Sequence, residues 1–152
     1  MQLADWLGEQ PFALAMSSGF FAFYAHTGML GALQRRGYAP AAVSGSSAGA
    51  LVGGAWAAGL PVEDLAERLI ALRRDEFWDP SPGFGLLAGK KFDALLRAML
   101  PVGTMRACRV PIAISVFAIA RRRTEVLHDV DLAHAIRASC AVPPRYHRHT
   151  GA

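Results

Sequence analysis

The chain has 152 residues, of which 53% are hydrophobic and 18% are charged. This balance excludes a disordered chain, and the length fits one compact domain, which we expect to span 1–152. The formal charge of +4 comes from 16 basic and 12 acidic side chains and is a mild bias. Because no basic and aromatic pattern typical of a nucleic-acid module accompanies it, we expect no nucleic-acid partner.

The N-terminal region differs from a secretory signal, because Asp5 and Glu9 stand before the first apolar stretch. The apolar segment 48–60 is too short to span a bilayer, which requires roughly 20 residues. We therefore expect a cytoplasmic chain. Cys108 and Cys140 have neither metal-like spacing nor companion cysteines, which predicts two free, buried thiols and no metal site.

Two strand-to-helix units open the chain. Phe12–Met16 is a short apolar run that predicts a buried strand, and Tyr24–Arg36 predicts a helix that ends before Gly37. Ala42–Gly45 predicts the second strand. The following segment, Ala48–Ala58, is apolar on all sides, which predicts a buried helix.

The remainder of the chain predicts three more helices and two more strands. The helices are Val62–Arg74, Lys91–Leu100 and Leu132–Ser139, and the strands are 110–120 and 124–127. A loop rich in proline and glycine, 79–89, is a candidate for part of a lid. The alternation of strands and helices predicts an α/β fold with a mainly parallel sheet.

Three further features carry no clear catalytic pattern: an arginine triplet, a histidine and an aromatic run. The arginines at 121–123 separate the last two strands, and we interpret them as solvated turn residues, with lipid headgroup contact as the alternative. His26 is expected to make a packing or capping contact. An aromatic run after the first strand is interpreted as core rather than as an acyl-chain pocket: Phe20, Phe21, Phe23 and Tyr24.

The segment from Gly45 to Gly49 reads Gly-Ser-Ser-Ala-Gly and fits G-x-S-x-G between a predicted strand and a predicted helix. Such a turn presents the central serine, Ser47, as a candidate nucleophile, and its flanking glycines let the strand and the helix approach. The N–H of Ala48 is a candidate oxyanion donor. The motif alone leaves a second interpretation open, in which the turn only packs a helix on a strand or binds a phosphate.

Three motifs in the same order resemble the patatin family of lipid acyl hydrolases. The sequence His-Thr-Gly-Met-Leu at 26–30 is similar to the family's opening His-x-Gly-x-Leu motif, and the G-x-S-x-G turn follows at a similar spacing. The segment Ala-Ser-Cys-Ala-Val-Pro at 138–143 resembles the family's A-S-x-A-x-P segment. Together the motifs cover most of 12–144.

The resemblance implies a patatin-like three-layer α/β/α fold with a mainly parallel sheet, incomplete at the C-terminus. It also implies hydrolysis of lipid or phospholipid esters by a Ser-Asp dyad, with peripheral membrane contact and with neither metal nor cofactor. Ser47 would attack the ester carbonyl, and the N–H groups of Gly19 and Phe20 would hold the oxyanion together with Ala48.

The chain departs from the family pattern in two places. The family's oxyanion turn usually has three glycines followed by a basic residue, whereas here only Gly19 is retained and Ala22 takes the basic position. The dyad aspartate is expected within Asp-Gly-Gly or Asp-Gly-Ala, and none of the acidic residues here precedes a glycine. We therefore expect a truncated or frameshifted member that lacks its general base and has weak or no activity.

Alternatives to this interpretation remain open. A Ser-Asp-His order is formally available, although Asp131 is better explained as a helix N-cap. Its further candidate members are Asp129, His134, His147 and His149. A serine acyltransferase and a non-catalytic remnant that binds lipid or a protein partner are the competing functions.

Overall fold

A computed structural model describes residues 3–77 and 89–141. These ranges contain four strands and seven α-helices. The strands are β1 Ala13–Met16, β2 Ala42–Gly45, β3 Ile112–Ala118 and β4 Arg123–Leu127. The helices are α1 Leu3–Glu9, α2 Ala22–Arg35, α3 Ala48–Ala57, α4 Val62–Ala71, α5 Arg74–Phe77, α6 Lys90–Met99 and α7 Leu132–Cys140.

The four strands form one sheet in the order β1-β2-β3-β4. The first three strands are parallel and β4 is antiparallel to β3, so the expected α/β fold with a mainly parallel sheet is confirmed. Met16, Gly45 and Ile114 occupy matching register positions on the three parallel strands. The carboxyl ends of β1 and β2 therefore meet at one edge of the sheet, which we call the carboxyl edge, and β3 continues beyond it.

Helix α3 packs on one face of the sheet and forms the centre of the core. Val52 and Trp56 of this helix are buried, as is Ile112 on the facing strand. Because α3 is apolar on every side, it is enclosed between the sheet and the helices α2, α4 and α7. Complete burial of a side chain such as Val52 stabilises the fold by about 1.5–3 kcal/mol.

The opposite face of the sheet carries small side chains. Ala15, Ser44 and Ala113 share this face by register, and Ser115 follows two residues along β3. All four remain at least partly exposed. Among the residues that the structure describes, the packed core thus lies on one side of the sheet.

Most predicted elements agree with the structure, and the differences have local causes. The helix predicted to begin at Tyr24 begins at Ala22. The helix predicted to continue to Arg74 ends at Ala71, because Leu72 takes an extended backbone before a separate short helix. Helix α1 was not predicted, since its charged and exposed residues give no clear apolar periodicity.

The interpretation of the aromatic run as core is wrong for three of its members. Phe20, Phe21 and Tyr24 are 77%, 68% and 46% exposed, whereas Phe23 packs against the core. The exposed rings lie beyond the end of β1 and in the first turn of α2, before that helix reaches its buried positions at Thr27 and Leu30.

Three other predictions concern cysteines, membrane segments and the loop. Cys140 is buried and Cys108 is partly buried, and both are free thiols. Within 3–77 and 89–141, every helix is too short or too polar to cross a bilayer. The candidate lid at 79–89 lies outside the described residues, apart from Gly89, which precedes α6.

Candidate active site

Ser47 lies in a sharp turn between β2 and α3, at the carboxyl edge. Its backbone has φ 52° and ψ −113°, an unfavourable region for a residue with a side chain. Such a conformation costs on the order of 1–3 kcal/mol and persists only where the surroundings enforce it. The strand, turn and helix predicted around this serine are therefore present, and the turn is strained.

The turn is flanked by Gly45 and Gly49, and neither position has space for a side chain. A Cβ atom on Gly45 would overlap the backbone of Gly49, and one on Gly49 would overlap the carbonyl group of Met16. The N–H of Ser46 also donates to the Met16 carbonyl at 3.1 Å. The end of β1, the turn and the first turn of α3 are thus in backbone contact.

The C-terminal end of α7 holds the backbone of Ser47 at both of its polar groups. The N–H of Ser47 donates to Oγ of Ser139 at 2.8 Å, and Ser139 Oγ donates in turn to the carbonyl of Ser115 at 2.7 Å. Cys140 Sγ lies 3.5 Å from the carbonyl oxygen of Ser47 and donates to it. We call this arrangement the α7 clamp.

The turn after β1 provides main-chain donors next to the Ser47 turn. Gly19 has φ 155°, and a Cβ atom there would lie 3.0 Å from Cβ of Ala22, so a side chain at this position would be strained. Among the described residues, the N–H groups of Gly19, Phe20 and Ala48 have no hydrogen-bond acceptor.

His26 fastens the same turn to helix α2. Its Nε2 atom lies 2.8 Å from the carbonyl oxygen of Ser17, so the imidazole contacts the backbone just after β1. This contact agrees with the packing or capping role expected from the sequence. The structure gives no contact between His26 and Ser47.

The two aspartates proposed as alternative bases are engaged elsewhere. Asp129 pairs with Arg106, and the arginine holds the pKa of that carboxyl below its usual range. Asp131 pairs with Arg97, which likewise lowers its pKa, and it accepts the N–H of His134 as the N-cap of α7. Both carboxylates follow β4 and lie at the end of the sheet opposite the carboxyl edge.

Within the described part of the chain, the side chain of Ser47 interacts with the thiol of Cys140 and forms no hydrogen bond with a carboxylate or an imidazole. Of the alternative triad candidates, His134 lies on the first turn of α7 beside Asp131, and the histidines at 147 and 149 lie outside the described residues. A Ser-Asp-His triad that includes Asp129 or Asp131 is therefore inconsistent with the observed contacts.

Burial also shapes the chemistry of the neighbouring thiol. The buried environment of Cys140 raises its pKa to about 12, so this thiol is neutral near pH 7.

A depression of about 370 Å³ lies beside the turn, lined by the ends of β1 and β2 and by Ser115 and Val126. The site thus combines neutral polar groups with a shallow space beside small side chains.

The contacts of Ser139 were not predicted from the residues. The motif that contains Ser139 was identified only by its resemblance to a family segment, with no role attached. The contact joins positions that are 92 residues apart, and a local pattern carries no signal for it. The family motif was the one signal in the sequence that pointed to this segment.

Comparison with known proteins identifies related sequences and a related fold. Residues 14–151 match the family model described as patatin-like phospholipase. The chain is 35% identical over 140 residues to the uncharacterized NTE family proteins Rv1063c of Mycobacterium tuberculosis and Mb1092c of Mycobacterium bovis. These alignments cover 86% of this chain and 37% of each relative, so the chain spans little more than a third of their length.

A solved structure has the same fold. The type III effector protein ExoU superposes with a TM-score of 0.65 at 19% identity, over 88% of this chain and 39% of that protein. At this identity the likeness concerns the fold alone. The family match across residues 14–151 shows that the chain belongs to the patatin-like phospholipase family.

Proposed function

We propose that the chain carries the nucleophile of a serine acyl hydrolase that acts on lipid esters, with Ser47 as that nucleophile. The observation that carries the proposal is the strained backbone of Ser47 at φ 52° and ψ −113°, held by the α7 clamp at the start of a buried helix. A turn that only packs a helix on a strand has no need of such strain.

The reaction begins when Ser47 Oγ attacks the carbonyl carbon of the ester and a tetrahedral intermediate forms. Its oxyanion accepts hydrogen bonds from the free N–H groups of Gly19, Phe20 and Ala48. The N-terminal end of α3 adds a favourable dipole at the same place. Collapse of the intermediate releases the alcohol, and water then hydrolyses the acyl-serine ester.

The missing component is the base that removes the proton from Ser47. The family resemblance supplies an aspartate for this step, as the second member of a Ser-Asp dyad. In the described residues no carboxylate contacts Ser47, and Asp129 and Asp131 are paired with arginines. For the 152-residue chain by itself we therefore expect a rate lower by about 10⁴-fold than that of a complete site.

Labelling with a fluorophosphonate probe tests the nucleophile. We expect slow covalent labelling of the wild-type chain at Ser47, none of Ser47→Ala, and unchanged labelling of Ser46→Ala. Ser46 is the matched control because it adjoins Ser47 and only its backbone is hydrogen-bonded in the structure. Equal labelling of wild type and Ser47→Ala would remove the basis of the proposal.

Turnover of a chromogenic short-chain ester tests the expected lack of a base. We expect a rate close to that of the Ser47→Ala variant even where the probe labels Ser47. Fast turnover that depends on Ser47 would contradict the weak activity proposed for this chain. Transfer of the acyl group to an added alcohol in preference to water would instead indicate an acyltransferase, and the absence of labelling would indicate a binding role.

A further inference from the structure

Large apolar side chains are exposed at the carboxyl edge, next to Ser47. Phe20 and Phe21 follow β1 and are 77% and 68% exposed, with ring centroids 5.0 Å apart in an edge-to-face arrangement. Tyr24 continues this surface on the first turn of α2. Contiguous exposed rings are unfavourable in water and usually mark an interaction site.

A second exposed segment lies at the connection between β3 and β4, which we call the arginine tip (117–123). Phe117 and Ile119 are 51% and 61% exposed. Arg121 and Arg123 both pair with Glu125, at 2.8 Å and 3.2 Å. The three arginines at 121–123 and this single carboxylate leave a local charge of 3 − 1 = +2.

Arg122 is the most available of the three cations. Its backbone is left-handed, with φ 53° and ψ 37°, and it lies between the short helix 119–121 and β4. Its side chain makes no ion pair with any of the residues described by the structure. The guanidinium is therefore free to bind an anionic group.

The topology places one exposed segment on each side of Ser47. The aromatic turn follows β1, Ser47 follows β2, and the arginine tip follows β3, and these three strands are parallel neighbours. Gly45 is in register with Ile114, so β3 continues for four more residues, or roughly 13 Å, beyond that level. The tip thus projects past the turn that holds the serine.

We propose that the carboxyl edge docks on an anionic lipid surface, with the aromatic turn inserted on one side of Ser47 and the arginine tip bound to headgroup phosphates on the other. Aromatic and aliphatic side chains enter the interfacial region, and guanidinium groups bind phosphates in a bidentate manner. Only the orientation of Ser47 toward the lipid rests on the proposed function.

The chemistry of the two segments favours a bilayer over other polyanions. Phe117 and Ile119 stand beside the arginines and need an apolar medium, which a nucleic-acid backbone does not provide. A lipid surface offers phosphate and hydrocarbon within one interfacial layer. The charge of +2 is small for binding by electrostatics alone, so both kinds of contact are required.

Vesicle co-sedimentation of the full 152-residue chain tests the docking. We expect binding to phosphatidylcholine vesicles that contain phosphatidylserine, and weaker binding when the anionic lipid is omitted or when salt is raised. Replacing an arginine near an anionic surface weakens binding by about fivefold per charge, so the charge reversal Arg122→Glu should weaken it by more than about fivefold. Phe21→Ser should also weaken it, because the inserted ring is lost.

Two matched variants control for charge and exposure away from this edge. Arg36→Glu makes the same charge change just after the C-terminal end of α2, and Leu3→Ser removes a side chain that is 71% exposed in α1. Both should bind vesicles like wild type. Circular dichroism melting of all variants should agree with wild type, since the replaced side chains lie on the surface.

The outcomes separate docking from catalysis. Ser47→Ala should bind vesicles as well as wild type, so failed probe labelling with intact binding would overturn the proposed function and leave the docking proposal supported. Equal losses in Arg122→Glu and Arg36→Glu would overturn the docking, as would unchanged binding by Arg122→Glu and Phe21→Ser. The docking proposal would also be overturned if Arg122→Glu and Phe21→Ser lose affinity for single-stranded nucleic acid while their vesicle binding persists.

Discussion

Ser139→Ala is expected to loosen the turn that holds Ser47. The substitution removes the acceptor of the Ser47 N–H and the donor to the Ser115 carbonyl, at 2.8 Å and 2.7 Å. Each hydrogen bond of this kind contributes about 1 kcal/mol, so the free energy of unfolding should fall by about 2 kcal/mol. For a chain of this size that corresponds to about 4–8 °C in melting temperature.

The lost hydrogen bonds should also lower the reactivity of Ser47 toward a fluorophosphonate probe. The hydrogen bond from Ser47 to Ser139 helps to offset the strain at Ser47. If its loss raises the activation free energy of labelling by about 1.4 kcal/mol, the labelling rate falls by about tenfold. Urea unfolding and the rate of fluorophosphonate labelling measure the two effects separately. A lower labelling rate under conditions where the variant is still fully folded would identify a positioning role.

Ser139→Thr keeps the hydroxyl and should restore labelling toward the wild-type rate. Ser18→Ala removes an exposed hydroxyl from the neighbouring turn and should change neither quantity. The reasoning is refuted if Ser139→Ala labels at the wild-type rate while its stability stays within about 0.5 kcal/mol of wild type.

Three further predictions concern packing and ionisation. Gly49→Ala forces a methyl group onto the Met16 carbonyl and should lower the free energy of urea unfolding by about 3 kcal/mol, whereas Gly28→Ala, which meets no atom within 4 Å, should be neutral or stabilising. The folded pKa of Cys140 is about 12 against an ordinary 9.0, so its contribution to stability is complete below pH 9 and is lost between pH 9 and 12. The wild type should therefore show a steeper loss of stability in this window than Cys140→Ala. Asp131→Ala removes an N-cap and should cost about 1 kcal/mol. The pKa of Asp131 is lowered in the folded state, so its stabilisation is present above the ordinary pKa of 3.8 and disappears as the pH falls below it. Urea unfolding midpoints measured across this pH range test the loss.

The sequence predicted best where local geometry and burial coincide. The strand Ala42–Gly45 was predicted to the residue, and the following helix differs by one residue at its end. An all-apolar helix flanked by glycine has few alternatives in water, which explains this agreement. The break after Ala71 was missed, because the apolar spacing continues through Leu72 although the backbone does not.

Long-range features were less accessible to prediction. Phe20 and Phe21 have the composition of core residues, and only the position of the turn beyond β1 leaves them exposed. For the candidate site, the sequence predicted the turn around Ser47 with its two glycines, since a local steric requirement fixes their spacing. The hydrogen bond from Ser47 to Ser139 depends on how α7 packs on β3, and this packing is a property of the whole fold.

The two proposals differ in how they respond to ionic strength. The groups in hydrogen-bond contact with Ser47 are neutral, since they are the Ser139 hydroxyl, the Cys140 thiol of pKa about 12 and the main-chain amide of Leu51. The proposed stabilisation of an oxyanion there would come from fixed N–H dipoles at the start of α3, and a partly buried contact of this kind is weakly screened by salt. The arginine tip carries exposed charge, whose attraction to a lipid surface falls within a Debye length of about 10 Å at 0.1 M salt. Salt should therefore release the chain from vesicles without changing how fast a soluble probe labels Ser47, because the proposed docking and the proposed acyl attack depend on different electrostatics at the same edge of the sheet.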